Sequence, residues 1–206
     1  MSASKGPSAF VSDAYGLGQD KNVVGFYQKW ADDYDNQMLE VDYVAPTVIA
    51  QLLCEHVSDK SAEILDVGCG KGFLLFELLK ILPGLKVTGL DISEYAINNS
   101  KAEVKPFLQI GDAKKLPFKD NSFDLVISIN TIHNLYCFDM LNSLKEIERV
   151  GKANKYLVVE SYQNLEQKTN MMYWVLTGEC FFSDDEWLWW FDMAKYTGDY
   201  SFIYFD

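Results

Sequence analysis

Residues 64–75, ILDVGCGKGFLL, constrain the fold more than any other stretch of this chain. A short apolar run ends at Asp66, glycines follow at alternate positions Gly68, Gly70 and Gly72, and a second apolar run begins at Phe73. That order predicts a β-strand, a tight turn and a helix N-terminus. Gly68 is expected to permit the turn, Gly70 to let the backbone approach a ligand, and Gly72 to pack closely at the helix start. In an open α/β sheet such a turn is where a nucleotide-like cofactor lies. A turn that binds nothing is the bland alternative, and features at fixed distances from the glycines weigh against it.

The rest of the chain repeats the strand–helix alternation. Aromatic positions Phe26, Tyr27, Trp30 and Tyr34 recur at helical spacing from Val23 to Met38, and a second helix is expected over about Pro46–Val57. Strands are predicted over Glu63–Val67, Lys86–Asp91, Pro106–Ile110, Asp124–Asn130 and Lys155–Glu160. Helices are predicted over Phe73–Ile81, Glu94–Ala102 and Phe138–Val150. The run DLVISIN is apolar enough for a strand buried on both faces. Together these predict an α/β fold with a doubly wound, mainly parallel sheet. Right-handed crossovers then bring the strand C-termini to one edge. After Glu160 the chain turns aromatic, and SDDE from Ser183 to Glu186 is a capping box that opens another helix. Tyr200–Phe205 reads as a final strand.

Composition narrows the partners. The 206 residues suit a single domain over 23–206, preceded by an arm over 1–22, and 49% hydrophobic residues can supply its core. Net charge is −12, from 18 basic and 30 acidic residues, which disfavours nucleic acid and anionic membrane and leaves a small-molecule substrate. No apolar run is long enough for a membrane span, and the first ten residues lack the apolar core of a secretory signal. The four cysteines, Cys54, Cys69, Cys137 and Cys180, are widely spaced without a CxxC pair or a histidine cluster. Free thiols in a cytoplasmic protein, without a metal site, are the expectation.

Two carboxylates give the glycine turn its meaning. Asp91 ends the second strand about 20 residues after the glycines, where an acid accepts hydrogen bonds from the two ribose hydroxyls of an adenosine. Capping the next helix is its alternative role, and Ser93 can do that equally well. Asp112 is expected at the end of the third strand, where its carboxylate could accept the adenine amino hydrogen beside the Ala113 N–H. Asn130 and Thr131 end the fourth strand, with their backbone beside the same ligand.

As a set, DVGCGKG, GLDIS and GDAKKLPFKDNSFDLV resemble the motifs of class I S-adenosylmethionine-dependent methyltransferases of the small-molecule UbiE/COQ5-like kind. The resemblance covers roughly residues 23–160. It implies that Asp66 helps to hold the methionine end, that Asp91 binds ribose and that Asp112 lies near adenine. It extends the cofactor-binding set to Cys69, Ile92 and either Tyr27 or Tyr34, the tyrosines otherwise packing an amphipathic helix. S-adenosylmethionine becomes S-adenosylhomocysteine in such a reaction, and no metal is implied. A dinucleotide-dependent dehydrogenase is the rival, but G-x-G-x-x-G would need glycine where Phe73 stands.

The acceptor is less legible. If it is a hydroxyl or a protonated amine, His133 just after the fourth strand is the candidate base; otherwise His133 lines the pocket or is satisfied by a backbone group. His56 is expected to be structural. Glu160, Ser161 and Tyr162 end the fifth strand and could face the substrate. A lid over 161–182 would carry Tyr162, Tyr173 and Trp174 as substrate contacts, with ordinary core as the alternative. The chain departs from the family pattern at its end, where one strand follows the Ser183 helix in place of an antiparallel pair. The second strand is absent, very short or supplied by a partner subunit. A monomer or homodimer is expected. The functional alternative is a catalytically silent cofactor-binding subunit that supports a partner enzyme.

Overall fold

The computed structural model describes residues 45–206 apart from 57, 58, 60 and 176. The expected arm over 1–22 and the Val23–Met38 helix, with Tyr27 and Tyr34, lie outside the described residues, as does the side chain of His56. Elements run in the order α1 (Ala45–His56), β1 (Glu63–Val67), α2 (Phe73–Ile81), β2 (Lys86–Asp91), α3 (Glu94–Asn98), β3 (Leu108–Ile110), β4 (Phe123–Ile129), α4 (Cys137–Val150), β5 (Gly151–Glu160), α5 (Leu165–Trp174), α6 (Asp184–Ala194) and β6 (Asp199–Ile203).

These strands form one sheet in the order β3-β2-β1-β4-β5-β6, and every described pairing is parallel. Asp66 stands opposite Gly89 on β2 and Ile127 on β4, so β1 is a central strand. Its side chains alternate between two cores. Ile64 packs with Ala50, Leu74, Leu75 and Leu78 on the α1/α2 side. Leu65 and Val67 pack with Met140, Leu144, Ile147 and Trp187 on the α4/α6 side. A strand apolar on both faces is what helices on both sides of a sheet require.

Several boundaries differ from expectation for identifiable reasons. The helix predicted over Glu94–Ala102 stops at Asn98, because the Asn99 side chain donates to the Tyr95 carbonyl and the Ser100 hydroxyl to the Ile97 carbonyl. Such side chains compete with the helix ladder. The third strand begins at Leu108 rather than Pro106, since Pro106 lies in a short 3-10 turn over Lys105–Phe107. β5 is longer than predicted and starts at Gly151, where α4 ends. Helix α5 has no counterpart among the predicted elements. Its sequence LEQKTNMMYW has no 3.6-residue apolar period, and its start is fixed by the Asn164 side chain accepting from the Gln167 N–H at 2.9 Å.

The Ser183 capping box is present as read, with the Ser183 hydroxyl accepting from the Glu186 N–H and the Glu186 carboxylate accepting from the Ser183 N–H. After α6 the described residues hold a single strand, β6, paired directly and in parallel with β5. The loop before β4 is pinned by Arg149, whose guanidinium donates to Glu146, Asp120 and the Leu116 and Phe118 carbonyls. That fixes the Leu116–Asp120 segment against α4.

Candidate active site

The C-terminal ends of β1, β2, β4 and β5 meet along one edge of the sheet, and the glycine turn lies there. Gly68 adopts φ 80° and Gly70 φ 54°. A Cβ at Gly68 would lie 2.1 Å from a Thr131 methyl, so that position needs glycine twice over. Gly70 is different: among the described residues nothing stands within 4 Å of where its Cβ would be. No described residue fills the space over the turn. The Gly68 and Cys69 N–H groups are both spent on the Leu90 carbonyl, which fixes the turn against β2.

Asp91 reaches back over this turn. One carboxylate oxygen accepts from the Gly70 N–H at 2.7 Å and the other from the Ser93 N–H at 2.8 Å. Capping of α3 falls to Ser93, whose hydroxyl accepts from the Ala96 N–H. The next residue, Ile92, is an apolar side chain left 73% exposed at the same edge. Asp112 follows β3, accepting from the Lys114 N–H at 2.9 Å, with the Lys114 ammonium 3.5 Å away; Ala113 beside it is half-buried.

Asp66 lies beneath the turn, almost wholly buried. Burial, and secondarily the Asp91 charge, push its carboxyl up to about 7. Burial likewise raises the Cys69 thiol. A folded carboxyl raised this way favours the protonated state, so its stability contribution is full below the unfolded carboxylate range near pH 4 and is lost as pH rises through 7. Asp66→Asn, which cannot ionise, is therefore expected to lose less stability than the wild type between pH 4 and pH 8. Urea midpoints across that window measure it, and parallel curves for the two proteins would contradict the assignment. The Glu160 carboxyl, also raised by burial, tilts both curves alike.

At the β4 and β5 ends a second group of polar atoms is buried. Asn130 adopts φ 52°, its N–H donates to the Val158 carbonyl, and its Oδ1 is buried with no hydrogen-bond partner among the described residues. Thr131 donates to the Gly68 and Ile129 carbonyls. His133 Nε2 lies 3.2 Å from Glu160 Oε2, both side chains nearly enclosed. His133 Nδ1 and Glu160 Oε2 are buried without a hydrogen-bond partner among the described residues. Burial drives the two groups in opposite directions, the imidazole down to about 4 and the carboxyl up to about 7. His133 is thus held as neutral imidazole at pH 7. Its carbonyl accepts from the Glu179 and Cys180 N–H groups, which ties the 177–180 segment to this turn.

The expected acceptor contacts divide. Tyr162 is engaged at the α6 cap, its hydroxyl donating to Glu186 and accepting from the Lys168 ammonium. Tyr173 and Trp174, at the end of α5, meet edge to face at 5.6 Å and are 44% and 55% exposed, so neither is core. The contact of His133 with Glu160 goes beyond the sequence reading. A signal for it exists in the sequence, since His133 just after the fourth strand and Glu160 at the end of the fifth are both expected at the same sheet edge. Among the described residues, no group of His, Cys, Asp and Glu side chains is arranged to hold a metal ion.

Known proteins fit this arrangement. A family profile described as "Methyltransferase domain" matches residues 58–195. The mitochondrial arginine-hydroxylase NDUFAF5 of Mus musculus is 31% identical over 143 residues, 68% of this chain and 40% of that protein. An uncharacterised protein of Methanocaldococcus jannaschii is 33% identical over 144 residues, 68% of this chain and 60% of the other. The malonyl-[acyl-carrier protein] O-methyltransferase of Legionella pneumophila is 28% identical over 136 residues, 64% and 46% of the two chains. This chain therefore spans only 40% to 60% of the length of these relatives. In fold it is similar to a chain from the complex of the Haloferax volcanii Trm112 methyltransferase activator with a methyltransferase, at a TM-score of 0.64, 24% identity, and 82% and 75% coverage. It is also similar to a methyltransferase of Bacillus halodurans, at 0.57, 21% identity, and 70% and 67% coverage.

Proposed function

Since the chain belongs to the methyltransferase-domain family, the class I S-adenosylmethionine-dependent methyltransferases, we propose that it moves a methyl group from S-adenosylmethionine to an oxygen or nitrogen of a small molecule. The observation that carries this reading is Asp91, a carboxylate at the β2 end folded over the Gly70 N–H, where no described residue fills the space beside the glycine. The residues fit the cofactor: an acid for ribose, an exposed apolar Ile92 for the adenine face, and the unpartnered Asn130 Oδ1 for a polar donor. When bound, S-adenosylmethionine supplies a methyl group already activated on a sulfonium.

In this reading Asp91 accepts from the ribose hydroxyls, while Asp112 and the Ala113 N–H read adenine. Asp66, the Gly68–Gly72 turn with Cys69, Asn130 and Thr131 surround the methionine end. Residues 161–182 form the lid, with Tyr173 and Trp174 toward the acceptor. Holding the acceptor in line and excluding water is the protein's main work, and orientation of that kind is worth roughly 7–11 kcal/mol in favourable systems. The acceptor's proton goes to His133 Nδ1, which is neutral and has no hydrogen-bond partner among the described residues, and the nearby Glu160 carboxylate stabilises the imidazolium that results. We place the protein in the cytoplasm, as a monomer or homodimer of a 23–206 domain with an N-terminal arm. No helix among the described residues is long and apolar enough to cross a membrane.

The test has two stages. Calorimetry should show S-adenosylmethionine and S-adenosylhomocysteine binding to the full chain, and labelled methyl should then appear in a product from pooled hydroxyl and amine metabolites. His133→Ala should lower that turnover by roughly 10²-fold or more while leaving cofactor affinity unchanged. Tight binding without product from any pool would transfer the reading to a silent subunit that supports a partner enzyme.

A further inference from the structure

Two of the four cysteines meet, and neither sulfur has a part in the proposed reaction. Cys137 opens α4, and Cys180 lies in the segment between α5 and α6, 43 residues later; their sulfurs are 3.8 Å apart. Cys180 is almost wholly buried, and its thiol donates to the Leu135 carbonyl at 3.0 Å. Its backbone N–H and that of Glu179 donate to the His133 carbonyl, and the Thr177 hydroxyl donates to the Asn134 side-chain oxygen at 2.8 Å. Residues 177–180 are thus laid along the turn that carries His133, fastened by four hydrogen bonds with the sulfur pair at their end. The other two thiols are elsewhere. Cys54 is on α1 and Cys69 is in the glycine turn, and neither has a sulfur partner among the described residues.

From this geometry we infer that Cys137 and Cys180 are a modification site for hydroperoxide oxidants, forming a reversible disulfide that latches residues 177–180 onto the His133 turn. Two hydrogen-bonded sulfurs 3.8 Å apart need side-chain rotation to reach the bonding distance of about 2.05 Å, and only the weak hydrogen bonds of the Cys180 thiol, to Leu135 and to Cys137, are given up. Cys137 is half-buried and is the sulfur an oxidant reaches, whereas burial raises the Cys180 thiol and makes it the slower partner. The chemistry balances in two steps. The Cys137 sulfur attacks one peroxide oxygen, the O–O bond breaks, and a sulfenic acid and one water form. The Cys180 sulfur then displaces the sulfenic oxygen, which leaves as a second water with the Cys180 proton. Two thiols are oxidised to one disulfide and one peroxide is reduced to two waters. A dithiol reductant reverses the bond.

The latch stands on the sulfur geometry alone and does not depend on the methyl-transfer reading. Its consequence is local: once the bond forms, the Glu179 and Cys180 amides can no longer open independently of the His133 turn.

The experiment uses the full chain, reduced and then freed of reductant. After stoichiometric hydrogen peroxide the protein is denatured, blocked with N-ethylmaleimide and mapped without reduction. We expect a species two hydrogens lighter than the reduced chain that takes up two maleimides instead of four. Its cross-linked peptide should join Cys137 to Cys180, and dithiothreitol should restore all four thiols. Hydrogen exchange at the Glu179 and Cys180 amides should slow by roughly tenfold or more in the oxidised protein. Cys137→Ser changes the more exposed partner, and Cys137→Ala repeats the test without a hydroxyl; both should lose the cross-link and the added protection while exchanging like the reduced wild type. The inference is overturned by a bond to Cys54 or Cys69, by four thiols surviving peroxide, or by sulfinic acid at Cys137 with Cys180 still free. A disulfide that persists in the Cys137 variants would also overturn it.

Discussion

Asp91→Ala is expected to weaken binding of S-adenosylmethionine and S-adenosylhomocysteine by roughly 10²- to 10⁴-fold. Hydrogen bonds to a charged group are each worth about 1.5–3 kcal/mol, and the proposed ribose contact has two of them. The same carboxylate also holds the glycine turn through the Gly70 N–H at 2.7 Å, so its removal loosens the cradle as well as the ligand. Asp91→Asn separates these contributions. Its amide keeps one oxygen acceptor for the backbone but carries no charge, and it should bind more weakly than wild type and more tightly than Asp91→Ala. Isothermal calorimetry with S-adenosylhomocysteine makes the comparison without any acceptor. An Asp91→Ala affinity within about threefold of wild type, in a protein of unchanged melting temperature, would remove Asp91 from the ribose site. That outcome would leave the family membership intact and move the cofactor elsewhere along the sheet edge.

How far the sequence foretells this site depends on how local each signal is. The β1–turn–α2 unit and the β2 strand match their sequence-based ranges residue for residue, because apolar runs and a glycine cluster fix them without reference to distant parts of the chain. The Ser183 box is equally local, since four consecutive residues satisfy one another. The features that differ are context-dependent. α5 is helical although its apolar residues are grouped at one end, and only Asn164 and the surrounding fold explain its start. A single strand after α6 is as expected, but it runs Asp199–Ile203 in place of Tyr200–Phe205, and no residue of DYSFI announces its parallel pairing with β5. The His133 environment is the clearest case. Sequence places the imidazole at the right edge, but its neutrality comes from burial, and its neighbour Glu160 lies 27 positions away on the adjacent strand. Spacing motifs therefore locate the glycine turn and Asp91, while the surroundings of His133 are assembled from long-range packing.

That packing centres on one side chain, and Trp187→Ala should be strongly destabilising. The indole is fully buried between the sheet and α6, edge to face with Phe182 at 5.2 Å and stacked near Phe191. Removing it leaves a cavity that neighbours on a strand cannot close, and such losses cost about 3–5 kcal/mol. Domains of this size typically hold about 5–15 kcal/mol in total, so a large part of the stability would go. The indole is also a hydrogen-bond donor, with its Nε1–H directed at the Glu160 carbonyl at 2.9 Å. Trp187→Phe fills most of the volume and withdraws that donor, which should cost about 1–3 kcal/mol. Urea denaturation gives both numbers. The two variants test different things, because Glu160 faces His133 through its carboxylate while its backbone hangs on Trp187. If the carbonyl contact positions that carboxylate, Trp187→Phe moves the negative charge away from the imidazole and should lower the His133 pKa further and shift its resonances in an NMR titration, whereas a packing defect that only admits water would raise it. A Trp187→Phe protein with wild-type imidazole resonances and an unchanged urea midpoint would reduce Trp187 to a space-filler and leave Glu160 held by β5 alone.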